Sequence, residues 1–140
     1  MNEKKNIQLF TDGGARGNPG PAAMGVLIID WEGKPLKEHK EYLGEKTNNQ
    51  AEYLALIKGM AMAAVYWKGE LHCFSDSELM VKQLNGEYQV KNPGLRKLYT
   101  KVKSIEKSFT KVVYTHLNRT DSSISTVDRL VNEALDEHLA

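Results

Sequence analysis

IQLFTDGGARGNPGP, from Ile7 to Pro21, places an acid at the end of an alternating strand. Successive side chains of a strand point to opposite faces, so a strand over Ile7 to Asp12 puts Gln8, Phe10 and Asp12 on one face. Gly13 and Gly14 then predict a break in the strand, and Gly17, Pro19, Gly20 and Pro21 keep the following backbone bendable. Asp12 is either the acidic flank of a turn or a carboxylate delivered by the sheet to a site.

Working outward, Met24 to Asp30 (MGVLIID) is a continuous apolar run of strand length, WEGKP supplies a turn, and Leu36 to Leu43 predicts a third strand, the three forming a meander. Thr47, Asn48 and Asn49 open a helix predicted from Gln50 to Lys68, with Leu54, Ile57, Ala61, Ala64 and Val65 at helical spacing and Gly69 beyond its end. Leu71 to Ser75 is a short strand, Ser77 to Leu84 a short helix, and NGEYQVKNPG a loop. Gly94 to Ser108 is a longer helix with Leu95, Leu98, Val102, Ile105 and Phe109 on one side, and Pro93 suits its first turn. Lys111 to Thr115 predicts a fifth strand, TDSSIST a polar loop, and Val127 to Leu139 a final helix. This order argues an α/β layered sheet rather than a bundle or a sandwich.

Length and composition narrow the class. The 140 residues suit one domain over 1–140, with 41% hydrophobic and 26% charged residues as in ordinary soluble proteins. No apolar run approaches the roughly 18 residues of a membrane span, and MNEKKN lacks the apolar stretch of a leader, so no membrane partner and a cytoplasmic address are expected. Cys73 is the only cysteine, which excludes an internal disulfide; Leu71 and Phe74 beside it predict a buried strand position. A formal net charge of +1 is not that of a strongly basic nucleic-acid binder, but Lys91, Arg96, Lys97, Lys101, Lys103, Lys107 and Lys111 stand against Glu106 alone in their stretch. That segment is either a solvated helix face or a track for a phosphate backbone.

Topology brings further acids to Asp12. If the meander sends strand 3 parallel to strand 1, the first helix starts at the edge where strand 1 ends, and a right-handed crossover returns strand 4 to the same edge. Asp12, Glu52 and Asp76 then lie where open α/β sheets place their sites, and Asp128 joins them if strand 5 is also parallel, which the two-helix connection before it leaves open. Each of the last three has a capping alternative: Asn49 to Glu52, Ser75 to Glu78 and Ser125 to Asp128 match the capping-box spacing. Glu52, however, shares a stripe with Ala55, Leu56, Gly59 and Ala63 that leans toward the sheet, and capping does not account for Asp12. Carboxylates drawn together repel unless cations neutralise them, and all-oxygen ligation suits Mg²⁺ or Mn²⁺. Two such ions about 4 Å apart would clamp the attacking and leaving oxygens of a phosphodiester. Commoner phosphate motifs do not fit, because GGARGNPG lacks the GK[ST] ending of a P-loop and the spacing of G-x-G-x-x-G.

TDGGARGNPGP, TNNQAEYLAL, FSDSELMVKQL and the segment from His116 through VDRLVNEAL resemble, in order, four successive motifs of the type 1 ribonuclease H family, in its short prokaryotic form without a basic protrusion. The resemblance implies a ribonuclease H-like five-stranded mixed sheet, an antiparallel meander of strands 1–3 followed by parallel strands 4 and 5, with flanking helices. It implies endonucleolytic hydrolysis of the RNA strand of RNA/DNA hybrids, giving 5′-phosphate and 3′-hydroxyl ends, with two Mg²⁺ ions for which Mn²⁺ can substitute. By position Asp12, Glu52, Asp76 and Asp128 match the family's metal-binding acids. Asp12 would bridge both ions, Glu52 and Asp76 would hold the ion near the leaving oxygen, and Asp128 the ion that activates water. Asn18, Asn48 and Asn49, with Ser77 and Glu78, match positions that meet the hybrid, where 2′-hydroxyls distinguish RNA from DNA. Capping is the alternative for Asn48 and Asn49.

HLNRTDSSISTVD departs from the HxPRExN pattern of similar short members: Asn118 replaces proline and the loop before Asp128 is longer. His116 is therefore either the loop histidine that in some members activates water or releases product, or a packed or hydrogen-bonded residue closing a strand. NGEYQVKNPG is too short for a basic protrusion, so hybrid binding would rest on Lys91 to Lys111 and depend strongly on salt. His39, His72 and His138 read as surface or strand residues. A monomeric endonuclease is the expectation; a non-catalytic hybrid-binding module and a DNA-directed nuclease of the same fold are the alternatives.

Overall fold

The computed structural model describes residues 5–140, so the first four positions of the MNEKKN start lie outside the described residues. Strands β1 (Asn6–Ala15), β2 (Gly20–Ile29) and β3 (Pro35–Lys46) form an antiparallel meander, followed by α1 (Asn48–Tyr66), β4 (Glu70–Ser75), α2 (Glu78–Leu84), α3 (Pro93–Ile105), a 3₁₀ turn (Glu106–Ser108), β5 (Lys111–His116) and α4 (Ser122–Leu139). The sheet order is β3-β2-β1-β4-β5, with β4 parallel to β1 and β5 parallel to β4. β1, β4 and β5 consequently end at one edge, where α1 also begins.

The alternation in β1 sorts the two layers. Leu9 and Thr11 face α1 across Gly59, and Leu9 belongs to the main core with Val26, Leu56, Leu71 and Val102. Phe10 faces the other way and packs with Leu27 of β2 and Ile124, Val127 and Leu130 of α4. Asp12, two residues on, keeps to the α4 side and pairs with Gly25, whose bare Cα admits α4: a Cβ there would stand 2.4 Å from the Val127 carbonyl oxygen. The sheet-facing stripe of α1 is Glu52, Ala55, Leu56, Gly59 and Ala63. The other set is split: Ile57 is buried and Leu54 and Ala64 pack partly against the core, whereas Ala61 is exposed and Val65 is 82% exposed. Leu95 and Val102 of α3 are buried and Leu98 and Ile105 pack partly against the core, while Phe109, also buried, lies beyond the 3₁₀ turn because α3 ends at Ile105; Cys73 is a buried free thiol.

Several expected boundaries shift, each for a local reason. β1 does not break at Gly13: Gly13 and Gly14 pair with Met24 and Ala23, so β2 begins at Gly20 rather than Met24. The connection shrinks to residues 16–19, closed by the Arg16 N–H donating to the Pro21 carbonyl at 2.8 Å, with Gly17 at φ 96°. α1 is capped by Thr47 in a reciprocal box with Gln50, not by Asn49 with Glu52. α2 is capped by Ser77, whose hydroxyl accepts from the Met80 N–H, so Ser75 with Glu78 forms no box. The largest change is at the end. TDSSIST is mostly helix, because Asp121 accepts from the Ser123 and Ile124 N–H groups and Ile124 is fully buried. Serine and threonine are poor helix formers, and burial of Ile124 overrides them. Asp128 thus lies well inside α4, and Ser125 does not cap it.

Candidate active site

Asp12 is delivered by β1 and is 7% exposed; Glu52, one turn into α1, is 9% exposed. Asp76 immediately follows β4 and is half-buried. One carboxylate oxygen from each of these acids lies within 4.8 Å of the others. Asp128 is exposed on α4 and lines the same cavity, close enough for its charge to help raise Asp12. The structure therefore brings together all four acids that topology placed at this edge, three as a tight cluster and Asp128 on its rim.

Glu52 is fixed by its neighbour across the layers. Its Oε1 accepts from the Gly13 N–H at 3.0 Å. Burial is the main cause that pushes the Asp12 carboxyl up to about 8, reinforced by the charges of Asp76 and Asp128 and opposed by a Gly13 N–H hydrogen bond. Glu52 is likewise raised, first by burial and then by Asp12 and Asp76. Acids this close and this dry cannot all ionise alone. The donor set is all oxygen and anionic, so a hard divalent cation fits it.

The acids open into a cavity of about 360 Å³ also lined by Arg16, Asn48, Arg119 and Asn132. Asn48 caps nothing. Its Oδ1 accepts from the Ala15 N–H at 2.8 Å, and its own N–H donates to Asn18 Oδ1 at 3.0 Å, so the hairpin tip is tied to the start of α1. Asn49 is exposed beside them; Ser77 is engaged as the α2 cap, and Glu78 is exposed, 3.6 Å from Lys82 Nζ. His116 is the exposed last residue of β5 and is not among the residues lining the cavity. Within the basic segment, Lys103 donates to the Leu84 carbonyl and to Glu106, whereas Lys91, Lys97, Lys101, Lys107 and Lys111 are exposed.

Arg16, Arg119 and Asn132 were not singled out by sequence. Asn132 carried a signal, its i+4 spacing from Asp128 on one helix face. Arg16 lies within the glycine-rich stretch, where no local pattern distinguishes its side chain. Arg119 is placed at the site only by the turn that precedes α4.

The Reverse transcriptase-like family matches residues 10–134 of the chain. Ribonuclease HI of Halobacterium salinarum is 36% identical over 131 residues, 94% of this chain and 65% of that protein; the RNase H1 crystal structure from that archaeon superposes with a TM-score of 0.90, covering 94% of this chain and 98% of that one. LC11-RNase H1 in complex with RNA/DNA hybrid is 41% identical with a TM-score of 0.90, covering 96% and 99% of the two chains. Bifunctional protein Rv2228c of Mycobacterium tuberculosis is 38% identical over 93% of this chain and 35% of its own length. The chain thus spans about two thirds of the length of the first of these curated relatives and about a third of the other.

Proposed function

The chain belongs to the type 1 ribonuclease H family, and from that premise we propose that it hydrolyses the RNA strand of RNA/DNA hybrids, leaving 5′-phosphate and 3′-hydroxyl ends. The observation that carries the reading is the cluster of Asp12, Glu52 and Asp76 within 4.8 Å, with Asp128 facing it from α4. Asp12, Glu52 and Asp76 would hold one Mg²⁺ and Asp12 with Asp128 a second, Mn²⁺ being an alternative for both. Bound there, the ions supply positive charge to a phosphodiester undergoing in-line displacement and make a water nucleophilic near neutral pH.

The chain's own groups account for the choice of strand. The Asn48 and Asn18 side-chain oxygens each accept from a backbone N–H, which leaves the NH₂ donors of these two exposed amides free for a ligand. Donors at this rim suit the 2′-hydroxyls and base-edge acceptors of a hybrid's minor groove. Asn49, Ser77 and Glu78 extend the contact surface on either side, and Arg119 offers a guanidinium to a phosphate beside the acids. His116 serves as a strand-end residue, because its ring lies outside the cavity lining.

In this proposal residues 1–140 form one catalytic unit that acts as a monomer, with a single five-stranded sheet and the helices on it carrying the groups that line the cavity. The buried free thiol of Cys73 suits a reducing compartment such as the cytoplasm, and no helix among the described residues is long and apolar enough to cross a membrane. The test is incubation of labelled RNA/DNA hybrid, RNA duplex and DNA duplex with and without Mg²⁺ or Mn²⁺. Metal-dependent cutting of the hybrid's RNA strand, lost in Asp12→Asn, is expected. Binding without cleavage in either metal, cleavage of DNA duplex alone, or full activity in Asp12→Asn would overturn the proposal.

A further inference from the structure

Asp128 is the one acid of the set held on a solvent-exposed helix position rather than by the sheet or a buried stripe. Its surroundings supply a support. Asn132, one turn further along α4, donates through Nδ2 to the Asp128 carbonyl at 3.1 Å and stands 3.5 Å from Asp128 Oδ2. The other end of the same amide, Oδ1, accepts from Arg16 Nη2 at 3.4 Å. Arg16 Nη2 also pairs with Asp136 Oδ1 at 2.7 Å, one turn beyond Asn132.

Two features make this more than a surface network. A guanidinium has only donors, so the Asn132 oxygen must face Arg16 and its NH₂ must face Asp128; the orientation of the amide is decided. Arg16 directly follows β1, the strand that carries Asp12, whereas Asn132 and Asp128 belong to α4. The contact therefore ties together the two elements whose acids face each other, and both Arg16 and Asn132 line the cavity.

We propose that Asn132, oriented by Arg16, is a positioning residue that sets the Asp128 carboxylate for cation binding opposite Asp12. The inference rests on the reading of Asp128 as a cation ligand. Asn132 itself touches neither ion nor substrate; it limits the rotamers open to Asp128 and keeps an oxygen aimed at Asp12. Asp136 serves only to anchor Arg16, and its exposed pair adds little.

The experiment compares wild type, Asn132→Ala, Arg16→Ala, Asp136→Ala and Asp128→Asn by calorimetric titration of the nucleic-acid-free protein with Mn²⁺, and by the Mg²⁺ dependence of hybrid cleavage. Asn132 is exposed on a helix that alanine favours, so its truncation leaves the fold in place. For Asn132→Ala and Arg16→Ala, the Mn²⁺ dissociation constant and the Mg²⁺ concentration at half-maximal rate should each rise about tenfold. KM for hybrid at saturating Mg²⁺ should not move in Asn132→Ala, and Asp136→Ala should match wild type. Wild-type Mn²⁺ affinity and Mg²⁺ midpoint in Asn132→Ala would overturn the positioning role. Wild-type cation binding and cleavage in Asp128→Asn would instead overturn the ligand reading beneath it.

Discussion

The Gly13 N–H donates to Glu52 Oε1 at 3.0 Å, across a contact so close that a Cβ on Gly13 would lie 2.2 Å from the Ala51 carbonyl oxygen and 2.6 Å from the Glu52 nitrogen. The first turns of α1 rest directly on β1, and this approach sets Glu52 beside Asp12. A glycine that looks like a hinge in the sequence is a close-packing position in the fold.

Gly13→Ala should accordingly destabilise the protein by about 2–3 kcal/mol, the range of a severe overpacking, because backbone rather than a flexible side chain must yield. Urea unfolding measures it. Glu52 would be displaced from Asp12 by the same shift, so hybrid cleavage should fall even at temperatures where the variant stays folded.

The raised carboxyl of Asp12 makes a signed prediction for the metal-free protein. Its folded value of about 8 stands above the 3.8 of an unperturbed aspartate, so between these values the folded state retains a proton that the unfolded chain releases. The stability this contributes is complete below about pH 4 and is lost as pH rises through about 8. Thermal melts in chelator should show wild type losing stability across that window, whereas Asp12→Asn should have a flatter profile and be the more stable protein at its upper end. Adding Mg²⁺ should raise the wild-type melting temperature most where Asp12 is most ionised, and should do little for Asp12→Asn.

His116→Ala should retain hybrid cleavage close to wild type, far short of the 100-fold or larger loss of a missing general base. The ring is exposed at the end of β5 and outside the cavity lining. Steady-state kinetics at saturating Mg²⁺ across pH 6–9 checks it, and a flat ratio of variant to wild type is the expected profile.

Exposed Lys97 and Lys101 on α3 should contribute to hybrid binding through phosphates alone. Each Lys→Ala change should weaken binding similarly for all sequences and reduce the slope of log affinity against log salt by about 1. Lys103→Ala should differ, lowering stability rather than the slope, since its ammonium is held by the Leu84 carbonyl and Glu106. Filter binding in chelator at several salt concentrations separates the two.

The amino-acid sequence by itself determined the layering and the site's location. Alternation in Ile7 to Asp12 put Phe10 and Asp12 on one face, the Glu52, Ala55, Leu56, Gly59 and Ala63 stripe aimed α1 at the sheet, and handed crossovers gathered the acids at one edge. These are properties of period and chain direction, which a linear sequence carries. What only the tertiary structure decided were choices between locally equivalent options. Thr47 rather than Asn49 caps α1, releasing Asn48 to bind Ala15. Residues 122–126 are helix because Ile124 has an apolar seat on Phe10 of β1 and Leu27 of β2. Gly13 lies within a strand because α1 presses on it, and Arg16 meets Asn132 across a sequence separation of 116. Such outcomes depend on the free energy of burial and contact between distant segments, which local propensity does not contain.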